Sequence, residues 1–313
     1  MRVDSGLAPR QEGDAPAVLT IGNFDGVHLG HVRLLDAVDS VAQQLEAESA
    51  LLTFDPHPRF VLDPAHCPQS LTTLSEKRDL LAARGLDRLV VLGFTREVST
   101  WRAEQFGDML LAAFDVRALV VGHDFALGHK RQGDVAFLRD YGERHGFPVE
   151  QVEAVRVGDQ AVSSSRIRSL VADGDVSAAA ALLGRPYFMD ATVEHGEEVG
   201  RHLGFPTANL SITAEKCLPA PGVYAMWVRV DGDWHAAATN VGYRPTFGGD
   251  RLTVEAFLLD FSGDLYSREV RAVFVERLRE ERAYPSADEL VAQIGKDVEQ
   301  VRTLLSTALA PDI

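Results

Sequence analysis

The chain has 313 residues, 46% hydrophobic and 25% charged, enough for two domains with cores of their own and the balance of a soluble globular protein. Its formal charge of −15 is spread over both halves with neither a basic arm nor an acidic tail. That field disfavours nucleic acid, so any anionic ligand has to be held by local donors. No apolar run reaches membrane-spanning length and the N-terminal residues lack a signal-peptide core. Two cysteines far apart, Cys67 and Cys217, suit a reducing compartment, so the expectation is a cytoplasmic protein without membrane or nucleic-acid partners.

In chain order, an apolar run at 17–21 predicts a buried strand. It breaks at Gly22-Asn23-Phe24-Asp25-Gly26, and a helical pattern begins near His28. A strand, a glycine turn and a helix N-terminus make a place for phosphate, because the first helical N–H groups lack partners and the macrodipole is positive there. His28 and His31 are spaced to share one helix face, and Gly30 between them leaves room for a nucleotide. Two histidines at this spacing are also ordinary surface residues, and no Cys or His nearby supports a zinc site. Further strands are expected at 50–54, 88–93, 118–122 and 149–156, with amphipathic helices at 31–47, 75–85 and 103–114. Strands separated by helices imply a doubly wound α/β parallel sheet, whose ligands sit beyond the carboxyl ends of the strands. Gly22-Asn23, Asp55-Pro56-His57-Pro58 and Gly122-His123-Asp124 all fall at such ends and so predict one shared pocket. Asp124, with Phe125, Lys130 and Arg131 after it, fits either a ribose or base acceptor or an Asx turn.

Ser163-Ser164-Ser165-Arg166-Ile167-Arg168 opens a helix that could grip pyrophosphate or be a plain N-cap with two solvated arginines. The two arginines point in different directions, and which one faces phosphate stays open. Residues 166–183 read as helix, turn, helix. From Pro186 to about Phe274 the pattern changes to short alternating strands with Gly, Pro and Asp-Gly turns, among them a hairpin of 223–230 and 234–240 around Asp231-Gly232-Asp233. This predicts an antiparallel β-barrel or sandwich. In Gly200-Arg201-His202-Leu203-Gly204-Phe205-Pro206-Thr207-Ala208-Asn209 the two glycines permit a phosphate-hugging loop. Thr207 and Asn209 face one side, as ligands for a cation carried in on ATP or as the wet face of a strand. Glu255 shares a face with Thr253, Phe257 and Leu259, as a general base or as an edge-strand charge. A C-terminal helix is marked by Ser286 and Glu289 as a capping box and by the stripe Leu290, Ile294, Val298, Val301.

In this order, GNFDGVHLGH, FDPHP, GHDFALGHKRQGD, SSSRIR, LGRPY, GRHLGFPTAN, PGVY, NVGYRPTF, VEAFLLDF and RLREERAY make the chain resemble the bifunctional bacterial FAD synthetases, a riboflavin kinase fused to an FMN adenylyltransferase. The resemblance covers about residues 17 to 301. It implies a nucleotidyltransferase domain over 1–183 and a kinase β-barrel with its C-terminal helix over 184–313. It implies that Asn23, His28, His31, Ser164 and Arg168, with Gly22, Phe24 and Gly30 of the same turn, bind ATP for adenylylation. His57, Asp124, Phe125 and Arg131 would line the flavin or nucleotide pocket. Gly200, Gly204, Pro206, Thr207 and Asn209 would hold the kinase ATP, with Thr207 and Asn209 on Mg²⁺, Glu255 as base and Arg279 on the flavin side. ATP, riboflavin, FMN and FAD are the implied substrates and products, and oligomeric state is left open, a weak homo-oligomer included. The chain departs from the family at Ser163-Ser164-Ser165, where Ser-Ser-Thr is usual. It also departs at Ala126-Leu127, where Arg-Phe is common, and at Ala191 and Tyr284, where Gly and Phe are common. None of these removes a group assigned to catalysis. The rival readings are another H-x-G-H adenylyltransferase, an aminoacyl-tRNA synthetase, which the negative charge disfavours, and a flavin-binding regulator.

Overall fold

The computed structural model describes residues 1–195, 200, 203–246 and 249–311. They form two compact units, Met1–Ser163 and Ser164–Ile313.

In the first unit, strands β1 (Arg2–Ser5), β2 (Pro16–Ile21), β3 (Glu48–Asp55), β4 (Arg88–Gly93), β5 (Asp115–Gly122) and β6 (Val149–Val152) pair in parallel in the order β1-β4-β3-β2-β5-β6. From β2 the chain moves one way to β3 and later returns to β5 on the other side, so the strand order reverses at β2/β5. In open α/β sheets this switch point is where ligands bind. Helices α1 (Leu29–Gln44), α2 (Pro58–Leu62), α3 (Leu74–Ala83), α4 (Ala103–Ala113) and α5 (Val135–His145) lie between the strands. The apolar runs are buried on both faces: Leu19, Leu52 and Val121 join one core, while Val18, Leu51 and Val120 join another with Leu34, Leu35 and Val38 of α1.

Two elements fall outside the expected set. Strand β1 has a single large apolar residue, Val3, and is tied in by charge. Arg88 Nε donates to Asp4 at 2.7 Å, its Nη1 reaches Glu48 at 3.1 Å, and its guanidinium lies over Phe114. Helix α5 buries Leu138, Tyr141 and Gly142 on one face and is capped at both ends: Asp134 accepts from Phe137 N–H, and Gly146 closes it at φ 81°. The strand expected to reach 156 ends at Val152, and a separate hairpin follows, β7 (Arg156–Val157) with β8 (Gln160–Ala161). Gly158 turns that hairpin at φ 63°.

The second unit begins with helices α6 (Ser164–Ala172) and α7 (Val176–Leu183). A closed antiparallel barrel follows, made of β9 (Tyr187–Glu194), β10 (Ala208–Ser211), β11 (Gly222–Val230), β12 (Asp233–Thr246), β13 (Gly249–Leu258) and β14 (Glu269–Arg279). The hairpin expected from Asp231-Gly232-Asp233 is β11–β12, with Val230 opposite Asp233. Helix α8 (Ala287–Ser306) is capped by Ser286, whose side chain accepts from Glu289 N–H. Its Val298, Val301 and Leu305 pack on Ala225 and Leu259 of the barrel's outer surface, as the stripe predicts. Helix α7 buries Val176, Ala179, Leu182 and Leu183, and Ser177 Oγ donates to Val275 O of β14. The pair 164–183 is therefore where the compact units and the expected division after residue 183 differ. No helix among the described residues is long and apolar enough to cross a membrane.

Candidate active sites

The first site lies at the carboxyl ends of β2, β3 and β5. Beyond Ile21 the backbone passes through Phe24 at φ 48°, Gly26 at φ 83° and Val27 at φ 40°. A left-handed valine is a genuine outlier, and strained residues of this kind cost about 1–3 kcal/mol each and need surroundings that over-determine them. The strain has a use. It turns the buried Phe24 ring beneath His31 (centroids 4.5 Å apart, 25°), and His31 stacks in turn on His28 (3.7 Å, 11°).

The two imidazoles meet by a different route from the one the spacing suggests. His28 is not in the helix; it is the N-cap of α1, and its Nδ1 accepts from His31 N–H at 3.3 Å. With Nδ1 accepting, the proton of the neutral ring sits on Nε2, where it can be donated to an anion. Gly30 serves this cap directly, since a Cβ there would come within 3.0 Å of the His28 ring. Its lack of a side chain makes room for an imidazole, whereas the sequence reading reserved that room for a nucleotide.

Of the three strand ends expected to share a pocket, two are in direct contact. The Asn23 amide lies 3.2 Å from His57 Nε2, joining the β2 and β3 ends. His57 also caps α2, its Nδ1 accepting from Arg59 N–H. After β5, Asp124 has an 82% exposed side chain, and no backbone N–H among the described residues donates to its carboxylate, so the Asx-turn alternative is not what the chain uses. Its backbone carbonyl instead accepts from Arg131 Nη2 at 2.6 Å, and Phe125 packs on the core. Ser164 and Arg168 lie on the first turns of α6 in the second unit. Ile167 is fully buried between the half-buried Arg166 and Arg168, and Arg168 Nη1 reaches Ser165 Oγ at 3.4 Å.

The second site is built by strand register. Asn209 of β10 pairs with Glu255 of β13, and Glu255 pairs with Asn240 of β12. Directly opposed residues share a face, so the three polar side chains form a row. Ala208, Leu210, Val254, Ala256, Thr239 and Val241 alternate with them and are buried inside the barrel, which puts the row on its outer face. Glu255 thus stands on an interior strand of a closed barrel, which has no edge, and the edge-strand explanation of its charge falls. Phe257 continues the same face and meets Phe205 edge-on at 5.3 Å, next to the apolar patch under α8.

Asn240 opens the NVGYRPTF stretch and was assigned no role by sequence reasoning. Only the pairing of β12 with β13 reveals it. Its Nδ2 donates to Glu281 Oε1 at 3.3 Å. Thr207 and Pro206, with Val193, Ala208, Ala256, Leu258 and the 261–266 loop, line a cavity of about 630 Å³ at the barrel mouth. Gly200 is folded against this strand, its carbonyl accepting from Leu203 and Phe205 N–H, and Gly204 turns at φ 85°. Arg201 and His202 of the expected phosphate loop lie outside the described residues. Arg279 forms a fork with Asp297 of α8 at 2.7–3.1 Å. That carboxylate is 4% exposed as a residue and also accepts from Gln293, so Arg279 anchors the helix to β14. Among the described residues no group of three or more His, Cys, Asp or Glu is gathered to hold a metal.

Residues 10–166 match the family model for FAD synthetase and residues 183–305 that for riboflavin kinase. A bifunctional riboflavin kinase/FMN adenylyltransferase of Pseudomonas fluorescens is 38% identical over 300 residues, 95% of each chain. Its counterpart in Escherichia coli (strain K12) is 37% identical over 289 residues, 92% of this chain and 91% of the relative. A crystal structure described as a macrolide-efflux protein from Streptococcus pneumoniae shares the fold, with a TM-score of 0.88 at 28% identity over 96% of this chain and 98% of that one. Matching both models in tandem and such relatives along nearly its whole length, the chain belongs to the family of bifunctional riboflavin kinase/FMN adenylyltransferases.

Proposed function

We propose that the chain phosphorylates riboflavin to FMN with one ATP and adenylylates FMN to FAD with a second, releasing pyrophosphate. The observation that carries the kinase half is the row Asn209–Glu255–Asn240, a carboxylate flanked by two amides beside the aromatic surface of Phe257 and Phe205. A flavin ring packed on that surface lets its ribityl chain reach Glu255. Glu255 takes the proton of the 5′-hydroxyl as that oxygen bonds to the γ-phosphorus of ATP and ADP leaves. Thr207 and Asn209 supply neutral oxygens suited to the Mg²⁺ that arrives with ATP, and the mouth cavity is of a size for the nucleotide.

In the first unit, a phosphate oxygen of FMN attacks the α-phosphorus of ATP and pyrophosphate departs. The nucleophile is already an anion, so no strong base is needed. His28, with its proton on Nε2, and His31 stacked on it act as donors to the charge that builds on the transferring phosphate, and Asn23 flanks them. Asp124, Phe125, Arg131 and His57 border the pocket for FMN and adenosine. Spending two ATP per FAD suits a cytoplasmic enzyme, and its partners in this reading are small molecules.

The test is direct. The purified protein is incubated with riboflavin, ATP and Mg²⁺, and riboflavin, FMN and FAD are separated chromatographically. The expectation is FMN first and FAD after it, with both lost when Mg²⁺ is chelated. A protein that binds flavin yet consumes no ATP would be a regulator.

A further inference from the structure

A lysine carries a strongly hydrated charge, so one left 7% exposed must be held by specific partners. Lys77, on the first turn of α3, has them. Its Nζ donates to the backbone carbonyl of Asn23 at 2.6 Å and to Thr53 Oγ1 at 3.4 Å. Thr53 Oγ1 donates to the same carbonyl at 3.2 Å. Burial pulls the Lys77 pKa below the ordinary lysine value, and the carboxylates of Asp25 and Asp55 act to raise it.

The position of that carbonyl matters. It belongs to the peptide joining Asn23 to Phe24, the first left-handed residue of the turn. On the far side of Phe24, the start of α3 grips the turn again. Thr72 N–H and Oγ1 both reach Asp25 Oδ1, at 3.1 and 3.4 Å, and Gly26 N–H donates to Thr72 Oγ1 at 3.0 Å. A complete capping box, Thr73 with Glu76, makes this helix end rigid. One element 54 residues further along the chain therefore holds the strained turn on both sides of Phe24. The turn in question is the one that places the Asn23 amide against His57 and the Phe24 ring beneath the two histidines.

We propose that Lys77 is a positioning residue for the adenylylation step. By holding the Asn23 carbonyl it fixes the stack Phe24–His31–His28, and so the direction in which the imidazoles donate to the transferring phosphate. It touches no substrate and acts through the histidines.

This inference rests on the adenylylation reading, and the experiment separates the two. Initial rates of FAD formation from FMN and Mg-ATP, without riboflavin, are measured for full-length wild type, Lys77→Met, Thr53→Val, His28→Ala and the Lys77→Met/His28→Ala double variant. Thermal melting followed by circular dichroism of the same preparations reports that the first unit is folded, and riboflavin phosphorylation that the second is. Wild type making no FAD would sink the adenylylation reading itself. With wild type active, Lys77→Met is expected to lower kcat by about 10- to 100-fold, the cost of misplacing reacting groups by a fraction of an ångström to an ångström, with KM for FMN little changed. The double variant should be no slower than His28→Ala alone, because groups that act through one another do not add. Lys77→Met within threefold of wild type, or losses that multiply in the double variant, would overturn the proposal. Should Lys77→Met fail to fold, Thr53→Val decides: a kcat reduced about threefold or more supports the proposal, and an unchanged one overturns it.

Discussion

In the proposed reading the two halves of this chain solve the same problem, placing donors around a nucleotide, with opposite materials. In the parallel sheet the working groups sit in turns beyond the strand ends. Their geometry is stored in backbone strain at Phe24 and Val27 and kept by a brace from α3. In the barrel the working groups sit on the strands themselves, and the hydrogen-bonded ladder sets their spacing with no strained backbone at Asn209, Glu255 or Asn240. A turn can aim several side chains at one point but needs support from elsewhere in the sequence. A ladder is self-supporting but presents its groups only in rows.

That contrast predicts clean separation of the activities, and the sharpest way to break it is Glu255→Gln. Glutamine keeps size and hydrogen bonding but cannot take the proton, so riboflavin phosphorylation should fall by about 10²–10⁴ while adenylylation of supplied FMN persists. More than about a tenth of wild-type kinase turnover would exclude Glu255 as the base. Next comes the mirror experiment. His28→Ala or His31→Ala should lower FAD formation from FMN by about 10²–10³, the usual cost of one transition-state donor, and leave FMN formation near wild type. Equal losses in both reactions would indicate a shared folding defect.

Asn209→Leu should act more mildly and in a different parameter. Losing one interaction with a charged group, worth about 1.5–3 kcal/mol, should raise the kinase KM for Mg-ATP by roughly 10- to 100-fold. A fall in kcat at saturating Mg-ATP would move Asn209 closer to the chemistry. The smallest effect concerns where the second half begins. Fragments 164–313 and 184–313 should both phosphorylate riboflavin and make no FAD. The longer one should melt higher, because α7 buries Val176, Leu182 and Leu183 at about 1.5–3 kcal/mol per side chain, and each kcal/mol shifts a domain of this size by about 2–4 °C. Equal melting temperatures would return α6 and α7 to the first half.

Much of the architecture was legible because it rests on local pattern. Continuous apolar runs marked β2 to β5, the Asp231-Gly232-Asp233 turn marked its hairpin, and Ser286 with the Val298–Val301 stripe marked α8. Strand β1 was not legible, since ion pairs to Arg88 rather than alternation hold it, whereas α5 carries both a stripe and caps and was simply absent from the expected elements. Among candidate site residues, His28, His31, Thr207, Asn209 and Glu255 stood out by chemical type and spacing. Asn240 and Lys77 did not. An asparagine in a strand and a lysine in an amphipathic helix look like any others until register or burial sets them apart.

The sequence by itself determined the order of elements, the change from parallel to antiparallel construction and the residue types able to handle phosphate, because helix and strand periods and turn chemistry act over a few neighbouring residues. Tertiary structure alone decided which of those groups meet. It made His28 a cap rather than a helix-face residue, put Glu255 on the outer face of a closed barrel rather than at an edge, and carried Lys77 beneath a turn 54 residues before it. Such meetings depend on strand register and on burial of charge, which are settled when distant segments pack and leave no periodic trace in either segment.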